Sequence, residues 1–242
     1  EPPGPGLLDG PLEVTVTPYG WGVSLRGHTT TRGVKADVDL SLNDIIQNLN
    51  GAAMLDTVIR KGRLALILDT VFAQLEDDGA TPGGGIGLNV TMNQFIQDAA
   101  LAFRVVDATI DDAGGLGPLA VAVDPYAGIR YTYLDVEARG RIDFERSVGR
   151  RGRVVGADRQ ATASASQQWT DPIVGARTSW TLGDHLTATI AGDVGGFGLG
   201  SDFTWQAFGV VGYRFGIFAE SDAALVAGYK ALHQDYSDGS GR

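Results

Sequence analysis

Few residues in this chain have the chemistry of a catalyst. Histidine occurs at three positions, His28, His185 and His233. Only His233 has a carboxylate close in sequence, Asp235 in the stretch HQDY. A general base needs an oriented partner and a nucleophile or water within reach, and no pattern around HQDY supplies them. There is no cysteine, which removes thiolate chemistry, a disulfide framework and thiolate metal sites. No cluster of histidines offers a metal site either. The glycine-rich stretches GFGLGSD and PGGGIG look like phosphate cradles. Such loops work between a strand and a helix, and a P-loop adds Lys followed by Ser or Thr; neither context is present. The sequence predicts no catalytic residue, no metal and no cofactor.

What the chain does carry is charge at regular spacing inside apolar stretches. Segment 169–215 shows it best. From Asp171 to Thr181 one face carries Asp171, Gly175, Arg177 and Ser179, and the other Val174, Ala176 and Trp180. From His185 to Val194 one face carries His185, Thr187, Thr189 and Asp193, and the other Leu186, Ala188, Ile190 and Val194. Alternation of period two over such lengths is a β signal. The polar face is too charged for a core, and the apolar face lacks Lys and Arg. Lipid on one side and a polar lumen on the other satisfy both. The same pattern places Asp56, Arg60, Asp69, Asp98, Arg104, Arg130, Arg214 and Lys230 on inward faces, with Arg26 on the first strand. An unpaired charge in a narrow barrel costs several kcal/mol, so these groups are expected to pair across strands and fill the lumen.

Nine strands position these charges. They fall near 13–26, 53–60, 63–75, 95–106, 122–136, 171–181, 185–194, the VGYRF region before Phe215, and 223–232. On the first, Tyr19, Trp21, Val23 and Leu25 are expected on the apolar face. Val34, Ala36, Val38 and Leu40 alternate in a long insertion, and Leu42, Ile45, Ile46 and Leu49 then repeat at helical spacing, predicting a short helix over 41–50. Short connections at 60–63, 181–184 and 216–222 alternate with long ones at 28–51, 76–92 and 137–168 and the glycine-rich 195–201. That is the outer-membrane barrel pattern of short periplasmic turns and long outer loops. An even barrel of about ten strands needs one more strand returning inward. Trp180 and Tyr213 are expected at one aromatic girdle, and Trp169, Trp205 and Tyr133 at the other.

Composition bounds the rest. At 242 residues with mean hydropathy near zero, nothing approaches the ~18 apolar residues of a membrane helix, a test that barrels evade. Glycine, at 35 residues, falls inside strands, where curved walls and crowded lumens have a use for it. A net charge of −10 argues against nucleic acid as a partner. The opening EPPGPG lacks the basic start and apolar stretch of a signal peptide. It is read as a flexible lead-in over 1–11, before one domain over 12–242, with a leader already removed. The exception to the acidic balance is the connection 137–168, which holds Arg139, Arg141, Arg146, Arg150, Arg151, Arg153 and Arg159. Guanidinium groups bind phosphates bidentately, making this connection a candidate contact with lipopolysaccharide.

The stretches WTDPIVGAR, GDVGGFGLGSDFTWQ, VGYRF and AGYKAL, with TPYGWGVSLRG, RKGRLALILD and YAGIRYTYLD, resemble a proteobacterial outer-membrane β-barrel family annotated mainly as uncharacterised. The resemblance spans nearly the whole chain. It implies a transmembrane antiparallel up-and-down barrel in the Gram-negative outer membrane, with outer-membrane lipid and lipopolysaccharide as partners. It brings no catalytic residue to this sequence. The function expected is non-enzymatic, structural or surface-interacting. A narrow, porin-like channel is the second reading, and an outer-membrane enzyme hydrolysing lipid A or peptides the third. A soluble lipocalin-like barrel, charged outside and apolar inside, is the alternative fold.

Overall fold

The computed structural model describes residues 7–19, 25–31, 34–40, 49–80, 86–111, 113–148, 153–218 and 221–236. Side chains are described for 7–19, 51–76, 89–111, 113–139, 162–216 and 222–236. The strands are β1 (Leu12–Pro18), β2 (Leu25–Thr31), β3 (Val34–Leu40), β4 (Leu49–Lys61), β5 (Leu64–Ala80), β6 (Ile86–Phe103), β7 (Val106–Ile110), β8 (Leu119–Val148), β9 (Arg153–Leu182), β10 (Leu186–Gly195), β11 (Phe203–Phe218) and β12 (Ser221–Asp235). No helix occurs among the described residues.

One antiparallel sheet runs in the order β1-β4-β5-β6-β8-β9-β10-β11-β12, and β7 pairs with β8. Strands β6 and β7 occupy the same side of β8, β6 against Tyr126–Ile142 and β7 against Leu119–Val123. Thus β7 continues β6 beyond an interruption at Arg104 and Val105, and the wall has the nine strand positions read from the sequence. Neighbours are joined up and down. At the β4–β5 turn Gly62 takes φ +56°, the conformation a two-residue hairpin needs at its first central position.

The sheet is curled. Side chains of strands far apart in the order meet inside it: Lys230 of β12 reaches Asp69 of β5, and Gln234 of β12 donates to Thr132 of β8 at 2.8 Å. Small apolar clusters, Ala65–Ala100–Ala102–Tyr126–Ile173 and Met54–Val71–Ile96, line the interior between the charges. Tyr19 and Leu232, from opposite edges of the sheet, pack on the second cluster. Edge strands β1 and β12 run in the same direction and share no backbone ladder.

Several sequence expectations change. The long connections at 76–92 and 137–168 are mostly strand, because alternation continues past the point where its polarity changes. Residues 41–48 of the expected helix lie outside the described residues, and Leu49 and Asn50 already begin β4. The first strand stops at Pro18, residues 20–24 lie outside the description, and Leu25 opens a separate hairpin of β2 with β3. Tyr19 was expected on the apolar outer face. It points inward instead, its hydroxyl donating to Asp69 at 2.7 Å, because it shares parity with Thr15 and Thr17.

Candidate functional site in the lumen

The strand alternation fills the interior with three tiers of polar side chains. Near the tight turns, Asp124 of β8 is 2% exposed and takes two guanidinium groups. Arg60 reaches it at 2.7 Å and Arg104 at 3.0 Å. Asp124 is absent from the sequence-derived set. Its signal was available, since it stands an even number of residues before Arg130 on the same strand. The Nη1 of Arg60 is buried without a hydrogen-bond partner among the described residues, so Asp124 is the carboxylate that holds its guanidinium, with Glu13 a second acidic neighbour.

The middle tier centres on Arg130, whose side chain is 0% exposed. It holds Asp98 through two bonds of 2.8 Å and Asp193 at 3.1 Å. It also donates to the Thr204 hydroxyl at 3.2 Å. The Tyr126 hydroxyl donates to Asp193 at 3.0 Å. Beside this cluster, Lys230 and the Tyr19 hydroxyl both bind Asp69. Arg177 stands 3.9 Å from Asp56 and lies over the Phe208 ring at 5.8 Å.

The third tier, toward the mouth, sets one carboxylate among neutral hydrogen-bond donors. Asp171 is 0% exposed and faces Arg130 across the β8–β9 register, yet the two form no ion pair. Its oxygens accept the Ser201 backbone N–H at 2.6 Å and the Trp169 indole N–H at 3.2 Å. Asp171 thereby fastens the 196–201 turn over the wall, where Gly200 leaves no room for a Cβ beside Asp171 and the Thr170 carbonyl. Trp169, expected in an outer girdle, stacks on Tyr236 at 4.4 Å inside the mouth, because it shares parity with Asp171.

The expected lumen charges thus pair with three exceptions, the first being Asp171. Arg214 is half-buried and joins no ion pair among the described residues; its backbone contacts His185. The side chain of Arg26 lies outside the description. Of the arginine set, Arg139 is exposed and its guanidinium is held by Glu137 at 2.9 and 3.0 Å. Arg141, Arg146, Arg153 and Arg159 lie in β8 and β9, with side chains outside the described residues, as are Arg150 and Arg151 entirely. The set therefore sits largely on a long hairpin rather than in a loop. His233, the lone catalytic candidate, faces outward and stacks on Trp205 at 6.2 Å.

Between the tiers a cavity of about 30 Å³ remains, lined by Asp56, Asp69, Asp98, Tyr126, Arg177 and Asp193 among others. That is room for one or two waters. Among the described residues no three His, Asp or Glu side chains converge as metal ligands. Among the described residues the arrangement is an ion-pair network, satisfied but for the Arg60 Nη1 and the Ser201 hydroxyl.

Outside, the wall is apolar. Leu101 is 69% exposed, and Leu225 and Tyr229 are each 77% exposed. Charge inside and hydrocarbon outside is the reverse of the lipocalin-like alternative. This polarity itself inverts along the strands. Up to the outward row Phe72–Phe95–Tyr133, joined by register, outward residues are mainly apolar and inward ones carry the charges. Beyond it the outward rows read Gln74–Asn93–Asp135–Ser166 and Glu76–Thr91–Glu137–Ser164. Inward, the mixed row Ala73–Gln94–Leu134–Gln167 gives way to Leu75–Met92–Val136–Ala165.

Comparison of the chain with protein-family models, with curated proteins and with solved structures returns no match.

Proposed function

We propose that this is an integral β-barrel protein of the bacterial outer membrane, acting without catalysis in a structural or surface-interaction role and of the proteobacterial family its sequence resembles. The observation that carries the reading is the inversion at the Phe72–Phe95–Tyr133 row. A water-soluble wall has no reason to be apolar outside below one row and polar outside above it; a lipid boundary does. The segment Leu64–Phe72, whose outward face is mainly apolar, is nine residues long, against the roughly 9–11 a tilted strand needs to cross the hydrocarbon. Exposed apolar surface of this extent marks contact with lipid or protein. A strand descending between β12 and β1 would complete an even barrel.

The test is extraction and heat. The protein is expected to leave cell envelopes only with detergent, and to migrate faster on a gel unheated than boiled. Release by salt or alkali alone overturns the reading.

The charged lumen favours a narrow porin as second reading. The paired charges and the cavity of about 30 Å³ oppose it, and planar-bilayer recordings decide between them. Lipopolysaccharide contact through the arginine-rich β8–β9 hairpin belongs to the same proposal. Replacing Arg146, Arg150 and Arg151 by Ala is expected to weaken binding of purified lipopolysaccharide at low salt, with unchanged binding counting against that contact.

A further inference from the structure

Past the aromatic row the wall of β5, β6, β8 and β9 has an inward face that nothing in its own ladder covers. After the mixed row Ala73–Gln94–Leu134–Gln167 it carries Leu75, Met92, Val136 and Ala165 in one register row, with Val90, Ala138 and Ala163 beyond, beside Asp77 at the β5 end of that row. Leu75, Met92 and Val136 are half-buried, and Ala163 and Ala165 are exposed. A sheet with one apolar face becomes stable by packing it on a second layer. The connection between β1 and β4 contains such a layer. In the β2–β3 hairpin the register sets Leu25 opposite Leu40, Gly27 opposite Val38, Thr29 opposite Ala36 and Thr31 opposite Val34. These positions share one face, weakly polar or apolar throughout. The other face opposes Arg26 to Asp39 and His28 to Asp37, pairs suited to water. A two-stranded hairpin alone is at best marginally stable, and this one has no ladder to the large sheet. It is also tethered in the right place. The chain re-enters the wall at Leu49, which pairs with Leu75, the level of the apolar row. Nine residue steps separate Leu40 from Leu49, a reach of up to roughly 30 Å.

We propose that the β2–β3 hairpin packs its Val34–Ala36–Val38–Leu40 face on the inner face of the outer wall, forming a two-layer cap over the barrel mouth. The two apolar faces require each other whether or not the belt below them meets lipid, so the cap stands or falls separately from the membrane reading.

The chain has no cysteine, so introduced pairs report cleanly. In the full chain, first shown to be folded by its β-type circular dichroism, Val38→Cys is combined in turn with Met92→Cys, Val136→Cys and Ala165→Cys and oxidised. At least one pair is expected to cross-link within a single chain, several-fold more than Asp37→Cys with the same partners or Val38→Cys with Glu137→Cys. Alone, Val136→Cys is expected to react with a water-soluble maleimide at least tenfold more slowly than Glu137→Cys. Adding Val38→Asp, which spoils the hairpin face, is expected to remove that protection, while Asp37→Asn leaves it. The proposal is overturned by equal cross-linking from both hairpin faces, or by Val136→Cys labelling as fast as Glu137→Cys. Cross-links that run only as dimers overturn it in favour of a second copy. Protection that appears only when phospholipid or detergent is added overturns it in favour of an amphiphile.

Discussion

Asp124 neutralises two guanidinium groups at once and holds the Arg60 guanidinium by a hydrogen bond, with Glu13 the further acidic neighbour across the β1–β4 register. Removing one partner of a buried ion pair costs about 3–5 kcal/mol, because the remaining charge stays behind unpaired. Asp124→Ala is therefore expected to destabilise the barrel by about that amount, read from urea unfolding in detergent. Adding Arg60→Met is expected to recover part of the loss, a coupling that a double-mutant cycle exposes. Arg139→Ala, which breaks an exposed pair with Glu137, is expected to cost under about 1 kcal/mol. A similar loss from both substitutions would mean that the lumen is more hydrated than its packing implies. Asp124 itself was within reach of the alternation rule. Its double partnership was not, since Arg60 lies three strand positions away on β4.

At the level of the elements, the close approach of strands depends on residues without side chains. Gly128 of β8 faces inward opposite Ala100 of β6. A Cβ there would land on the Ala99 carbonyl and the Ala100 backbone. Gly128→Ala is expected to destabilise by about 1–3 kcal/mol, as overpacking does, seen as a lower temperature for the gel-shift transition. Gly51→Ala, where a Cβ meets open space, provides the contrasting variant and is expected to change little. Element lengths were the least legible feature. The alternation of β8 and β9 runs on to Val148 and from Arg153, but with polar residues exchanged for apolar ones. A pattern search that holds the faces constant reads that exchange as the start of a loop.

For the whole molecule the decisive quantity is the apolar belt. Ile129 is outward-facing and half exposed, in the row Leu68–Ala99–Ile129–Pro172 near the middle of that belt. Ile129→Arg is expected to cost about 2–4 kcal/mol in a bilayer, measured by unfolding from lipid vesicles. A surface substitution on a soluble barrel would fall within about 0.5 kcal/mol, so a neutral result removes lipid from the picture. In planar bilayers the intact protein is expected to be silent, and Arg130→Ala and Arg177→Ala likewise, since their neighbours still fill the lumen. Discrete conductance steps from the intact protein would establish the narrow channel instead.

The amino-acid sequence by itself determined where the strands cross the belt, how many strands surround the lumen, and, Tyr19 and Trp169 apart, which parity faces inward. These follow from period two, a property of the extended backbone that survives any tertiary arrangement. It could not determine which charges meet. Arg130 has Asp98 and Asp171 beside it on neighbouring strands and takes only the first, reaching past β9 to Asp193 on β10. Asp171 is already held by the Ser201 amide and the Trp169 indole. Such choices depend on how tightly the sheet curls and where a turn folds back, distances between residues far apart in the chain that alternation along one strand does not encode.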